Sequence, residues 1–212
     1  MNNLPIEIKV IILNLLNFKS QINFVFASKN NQLLIKHWTI KKCCFVKDKM
    51  SKLSYYDCFE NIEIYKSLCI YPKKVIYVTF DCYCSMPYFM KVRIPASVTY
   101  LTFGDWFVQP IKKIISTSIT HLTLGFNFNQ TVKNVIPLSV THLTFGDNFN
   151  QCIKDCIPSS VTHITFGKNF NKSLKNCIPS EVTYLKFYKR FKKFKKEHIP
   201  ANVKTIDFDF TD

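Results

Sequence analysis

Three histidines recur in this chain at one spacing: His121, His142 and His163 stand 21 residues apart. Imidazole can ligate a metal, carry a proton or offer a polar edge to a partner, and its holding decides which. The same series extends through Tyr77, Tyr100, Tyr184 and Thr205, and a companion series two residues later reads Thr79, Thr102, Thr123, Thr144, Thr165, Lys186 and Asp207. Cys82 and Cys84 form a Cys-x-Cys pair, but no second pair stands at a matching distance, so incidental thiols are the better reading. Near the carboxyl end, Lys186, Lys189, Arg190, Lys192, Lys193, Lys195 and Lys196 put seven cations in eleven residues, interleaved with Phe187, Tyr188, Phe191 and Phe194. Aromatics among cations suit single-stranded nucleic acid. No Ser-His-Asp context, phosphate-cradling glycine loop or His-Glu-x-x-His occurs. The expectation is a protein without intrinsic catalysis, cofactor or metal.

The elements that hold these residues are copies of one unit. Ile94-Pro95 is answered by Ile115-Ser116, Ile136-Pro137, Ile157-Pro158, Ile178-Pro179 and Ile199-Pro200, each step being 21 residues. Ser97 to Gly104 returns, nearly letter for letter, as Ser139 to Gly146 and Ser160 to Gly167. Asn127-Phe128-Asn129-Gln130, Asn148-Phe149-Asn150-Gln151 and Asn169-Phe170-Asn171-Lys172 form another recurrence. So short a period means a solenoid, in which a unit buries its apolar face only by stacking on neighbours. Within Val-Thr-His-Leu-Thr-Phe the last three residues alternate, which predicts a short half-buried strand. Ile-Pro and Gly bound it, Gly as the residue that permits a tight turn. The expected fold is mainly β: a leucine-rich-repeat-like solenoid of 21–23-residue repeats with a parallel sheet. Phe107, Phe128, Phe149, Phe170 and Phe191 then fall in one buried column, each contributing roughly 1.5–3 kcal/mol. The neighbouring Asn residues are expected to bond turn backbone.

The phrases Phe-Asn and Ile-Pro, with Val-Thr-His-Leu-Thr-Phe-Gly between them, resemble the FNIP repeat family from Pro72 to about Phe208. That resemblance implies a protein-interaction module, commonly joined to an N-terminal F-box and known from social amoebae and giant viruses of amoebae.

Upstream, Leu4-Pro5-Ile6-Glu7-Ile8 opens a helix, with Pro in the first turn and Glu7 where the macrodipole favours an anion. Ile8, Ile12, Leu15 and Leu16 follow at helical spacing, and Ser20 and Ser28 can cap two more helices. Three short helices leave apolar surface that the solenoid or another protein must cover. The phrase also resembles an F-box, which implies docking on the Skp adaptor of cullin-based ubiquitin ligases through Leu4, Pro5, Ile8 and Ile12. A helical cap closing the first rung accounts for the same residues without an adaptor. The expected division is an F-box-like helical segment over 1–36, a connector with degenerate first rungs over 37–71, and the repeat solenoid over 72–212. Val75 to Phe80 aligns with Val98 to Phe103 at a step of 23, placing the extra residues in a loop within 81–92.

Net charge is +15, from 29 Lys+Arg against 14 Asp+Glu. Such a balance favours an acidic partner or nucleic acid, although a solvated lysine-rich surface accounts for it too. Phe187 and Phe191 already fall on the repeat's apolar columns, so nucleic acid is the alternative rather than the leading partner. Nine cysteines, an odd number without framework spacing and without a signal peptide, point to reduced thiols in the cytoplasm. No apolar run approaches the roughly 18 residues of a membrane span.

In-register residues on adjacent strands lie about 4.8 Å apart, so His121, His142 and His163 are expected to stack. Parallel rings do not converge as tetrahedral zinc requires. The predicted target-binding face is therefore the outward stripe of Tyr77, Tyr100, His121, His142, His163 and Tyr184 with Thr102, Thr123, Thr144 and Thr165. Tyr and His provide semi-rigid area with polar tips. The sequence thus predicts a protein-binding adaptor, monomeric outside its complex.

Overall fold

The computed structural model describes residues 44–45, 61–64, 75–80, 94–112, 114–188 and 191–210. Among the described residues nine strands make one sheet: β1 Cys44–Phe45, β2 Asn61–Ile64, β3 Tyr77–Phe80, β4 Tyr100–Phe103, β5 His121–Thr123, β6 His142–Thr144, β7 His163–Thr165, β8 Tyr184–Tyr188 and β9 Thr205–Asp209. Their order in the sheet is their order in the chain. Every pairing is parallel. Among the described residues there is no α-helix, only a 3-10 turn over Lys196–His198. The helices expected over 1–36, with Leu4, Pro5, Ile8 and Ile12, and the Cys82/Cys84 loop lie outside the described residues.

The solenoid is the predicted one, with shorter strands. From β4 to β7 the pairing steps by 21 residues, and Tyr77 pairs with Tyr100 across the expected 23. Three-residue strands suffice because the residues before them continue the ladder in irregular form. The amides of both Thr141 and His142 donate to the carbonyl of Thr120, and those of Thr162 and His163 repeat this on Thr141.

The core sits between the sheet and the return segments. Val98, Ile119, Val140, Val161 and Val182 are wholly inaccessible, and the Phe107–Phe191 column is buried as expected. Neighbouring phenyl rings stack across rungs, Phe145 on Phe166 at 5.5 Å and Phe149 on Phe170 at 6.3 Å between centroids. Asparagines join the rungs by amide ladders. Asn148 Nδ2 donates to Asn127 Oδ1 and Asn169 Nδ2 to Asn148 Oδ1, while Asn129 Oδ1 accepts from the Asn150 amide. The expected bonds to backbone are thus present, beside a chain of side-chain amides.

The glycines depart from the expected role. None adopts positive φ, so turn freedom is not why they are there. A Cβ on Gly125 would stand 2.0 Å from the carbonyl oxygen of Gly104, and one on Gly146 1.9 Å from that of Gly125. Backbone of successive rungs touches here, and only hydrogen fits between. The left-handed positions are instead Asn134, Asp155 and Asn176, at φ 56–57°, residue types that tolerate that region.

Candidate functional site

Alternation along each strand divides its residues between core and surface. In β6, Leu143 is buried while His142 and Thr144 are half-exposed, and β5 and β7 repeat the pattern. Because the register is strict, the outward residues form two columns. Tyr77, Tyr100, His121, His142, His163 and Tyr184 stand in the first, paired strand to strand. Thr79, Thr102, Thr123, Thr144, Thr165 and Lys186 stand in the second.

The first column is a continuous stack. Ring centroids are 4.3 Å apart for Tyr77–Tyr100, 4.1 Å for Tyr100–His121, 4.2 Å for His121–His142 and for His142–His163, and 5.5 Å for His163–Tyr184. The two His–His pairs are tilted by only 15° and 13°. Ring faces are covered by neighbours, so each ring presents its edge. In nearly parallel rings the nitrogen lone pairs run side by side rather than meeting at a point, which does not suit a tetrahedral ion. Among the described residues no group of three or more His, Cys, Asp or Glu side chains could hold a metal.

Each histidine is oriented by the threonine before it. Thr120, Thr141 and Thr162 place Oγ1 2.9 Å from the Nδ1 of His121, His142 and His163. The same Oγ1 atoms lie 3.2 Å from the carbonyl oxygens of Thr99, Thr120 and Thr141. The contact at the carbonyl has the geometry of a hydroxyl donor, and the hydroxyl has a single proton to give. The hydroxyl therefore donates to the carbonyl and accepts from Nδ1–H, leaving Nε2 as a bare acceptor at the exposed edge. Burial, and then the charge of His163, hold the pKa of His121 below the ordinary histidine value. Burial, then His121 and His163, do the same for His142. The central rings are thus neutral acceptors at physiological pH.

At the carboxyl end of the face the chemistry changes. Lys186 Nζ meets Asp209 Oδ2 at 2.8 Å, and the Tyr184 hydroxyl donates to Asp207 Oδ2 at 3.2 Å. The hydrogen bond from Asp209 is the main reason that the Lys186 ammonium is held above its usual range. Two of the described cysteines, Cys156 and Cys177, are buried in an apolar column, and burial raises both thiols. Cys152 is exposed.

A second regular feature escaped the sequence reading. Lys112, Lys133, Lys154, Lys175 and Lys196 recur at 21 residues and are all exposed. The seven-cation run stands out by its density, whereas these five are spread over five rungs. Only the period could have revealed them.

A stacked parallel sheet whose inward and outward columns hold register from rung to rung defines a repeat solenoid of leucine-rich-repeat type. The FNIP Repeat family model matches residues 128–169 and 170–210, so the chain carries FNIP repeats there. A solved structure described as CroV588, a novel circular LRR protein, is 34% identical to this chain with a TM-score of 0.60. The match covers 70% of this chain and 23% of that one, so the chain spans less than a quarter of the protein it resembles. No curated protein matches the chain.

Proposed function

We propose that this chain is a non-catalytic protein-interaction scaffold that captures a protein target on the outward sheet face. The single observation carrying this reading is the unbroken ring stack from Tyr77 to Tyr184, half-exposed and tipped with hydroxyls and Nε2 acceptors. Its side chains are already ordered by stacking and by their threonines, so binding a partner costs little further side-chain entropy. The threonine column beside it supplies hydroxyls at the same repeat. In this reading the segment over 1–36 docks a Skp-type adaptor through Leu4, Pro5, Ile8 and Ile12, making the chain a substrate-recruiting subunit of a cullin-type ubiquitin ligase in the cytoplasm. The motive for that link is the Leu-Pro-x-Glu-Ile opening joined to FNIP repeats. No helix among the described residues is long and apolar enough to cross a membrane.

Two arms test this. Purified Skp-type adaptor is expected to be retained by the full chain and lost by Leu4→Asp/Ile8→Asp; no retention by the unaltered chain ends the ligase reading and leaves a stand-alone scaffold. In the second arm, partners captured from host extract are compared between the unaltered chain and Tyr100→Ala/His142→Asp. Identical capture by both would remove the sheet face as the binding surface.

A further inference from the structure

We propose that the file of turn lysines Lys112, Lys133, Lys154, Lys175 and Lys196 docks the phosphate backbone of a nucleic-acid duplex. The five share one hydrogen-bonding pattern. Each is the second residue of a hydrogen-bonded turn, closed by Ile114 N to Ile111 O at 3.1 Å, Val135 to Val132 at 3.2 Å, Cys156 to Ile153 at 3.1 Å, Cys177 to Leu174 at 3.0 Å and His198 to Lys195 at 3.0 Å. In the three central turns the third residue is left-handed, at φ 56–57°. In the first four, both end residues are buried in the core or packed against it, so the second residue is sent to solvent. Turns repeated on successive rungs with this bond place the five lysines in one file.

With rungs about 4.8 Å apart, five cations make a row about 19 Å long. None of them joins an ion pair among the described residues, where the pairs are Lys186–Asp209, Lys195–Glu197 and His198–Glu197. The adjacent column brings only Asp155 and Glu197 against them. Like charges in a file repel one another, and a linear polyanion relieves that repulsion along its whole length.

At its central rungs, Lys133, Lys154 and Lys175, the row is one charge wide, which matches a phosphodiester strand better than the plane of a membrane. Lysine binds phosphate as a point charge, without the forked geometry that reads bases. The single ring in the described turn positions is His198, whose side chain is only 15% exposed, so there is no row of stacking platforms for a single strand. Contacts to phosphate alone give binding independent of sequence. The dense cation run contributes just Lys196 to this file.

The test is fluorescence anisotropy of the full chain with a labelled DNA duplex of about 20 base pairs, titrated at several salt concentrations. Five phosphate contacts predict a slope of log K on log salt of about −4.5, and each single Lys→Gln change in the file lowers its magnitude by about 0.9. Replacing all five by Gln is expected to weaken binding at least tenfold and remove most of the slope. A control with Lys168, Lys172, Lys192, Lys193 and Lys204 changed to Gln has the same net charge and is expected to keep it. Equal loss in both variants would reduce the effect to net charge and overturn the proposal. So would a flat duplex titration, whether or not acidic vesicles or an acidic peptide bind. Should the fivefold variant fail a circular-dichroism melt, the single changes decide by the same slope.

Discussion

The Thr141 hydroxyl decides which nitrogen of His142 faces solvent. It lies 2.9 Å from Nδ1 and 3.2 Å from the carbonyl of Thr120, and the one hydroxyl proton cannot serve both. With the carbonyl as acceptor, Nδ1 must carry hydrogen. Nitrogen-15 NMR is therefore expected to find His121, His142 and His163 as the Nδ1–H tautomer. Thr141→Val removes both bonds, releases the His142 tautomer toward the Nε2–H form usual in solution, and costs about 1 kcal/mol in urea unfolding. An Nε2–H signal for His142 in the unaltered protein would sink this assignment.

Stability should depend on pH through the same stack. The folded pKa of His121 and of His142 is depressed, while the unfolded value is about 6.5. The unfolded chain therefore binds more protons as pH falls, so stability rises with pH across that window. The contribution is full above the unfolded value and drains away as pH drops through it to the depressed folded values. Urea midpoints at about pH 7.5 and 5 should differ, and the difference should shrink in His121→Gln/His142→Gln. An unchanged difference in that variant would place the titration on other groups.

Core and face positions should separate in their costs. Phe149→Ala removes a ring that is wholly inaccessible and is expected to cost about 3–5 kcal/mol. His142→Ala loses two stacked neighbours and one hydrogen bond, for about 1 kcal/mol. Gly146→Ala would force a Cβ into backbone 1.9 Å away, and because backbone cannot rotate aside, the loss should reach about 3 kcal/mol. Thermal unfolding of the three variants ranks them; a Gly146→Ala variant as stable as the parent would contradict the close approach of the rungs.

Much of this architecture was legible because the period is short and strict. The recurrence of Ile-Pro and Phe-Asn located the core columns, and alternation in His-Leu-Thr separated inward from outward. Other features needed distances. Gly125 and Gly146 read as turn glycines, since nothing in a linear text shows that the next rung's carbonyl presses on the Cα. The Thr141–His142 bond depends on rotamers that proximity in sequence does not fix. Asn134, Asp155 and Asn176 stand in a column with Glu197, and only the backbone shows three of them to be left-handed. Lys112 to Lys196 escaped because attention to charge follows local density, whereas this charge is ordered by a step of 21.

The strict step has an evolutionary consequence. Gaining or losing one whole repeat adds or removes a ring on the sheet and a cation on the return turn at the same stroke. The two surfaces are geared together: selection for a longer grip on one partner unavoidably lengthens the other, and neither can be resized alone without leaving the register that stacks the rungs.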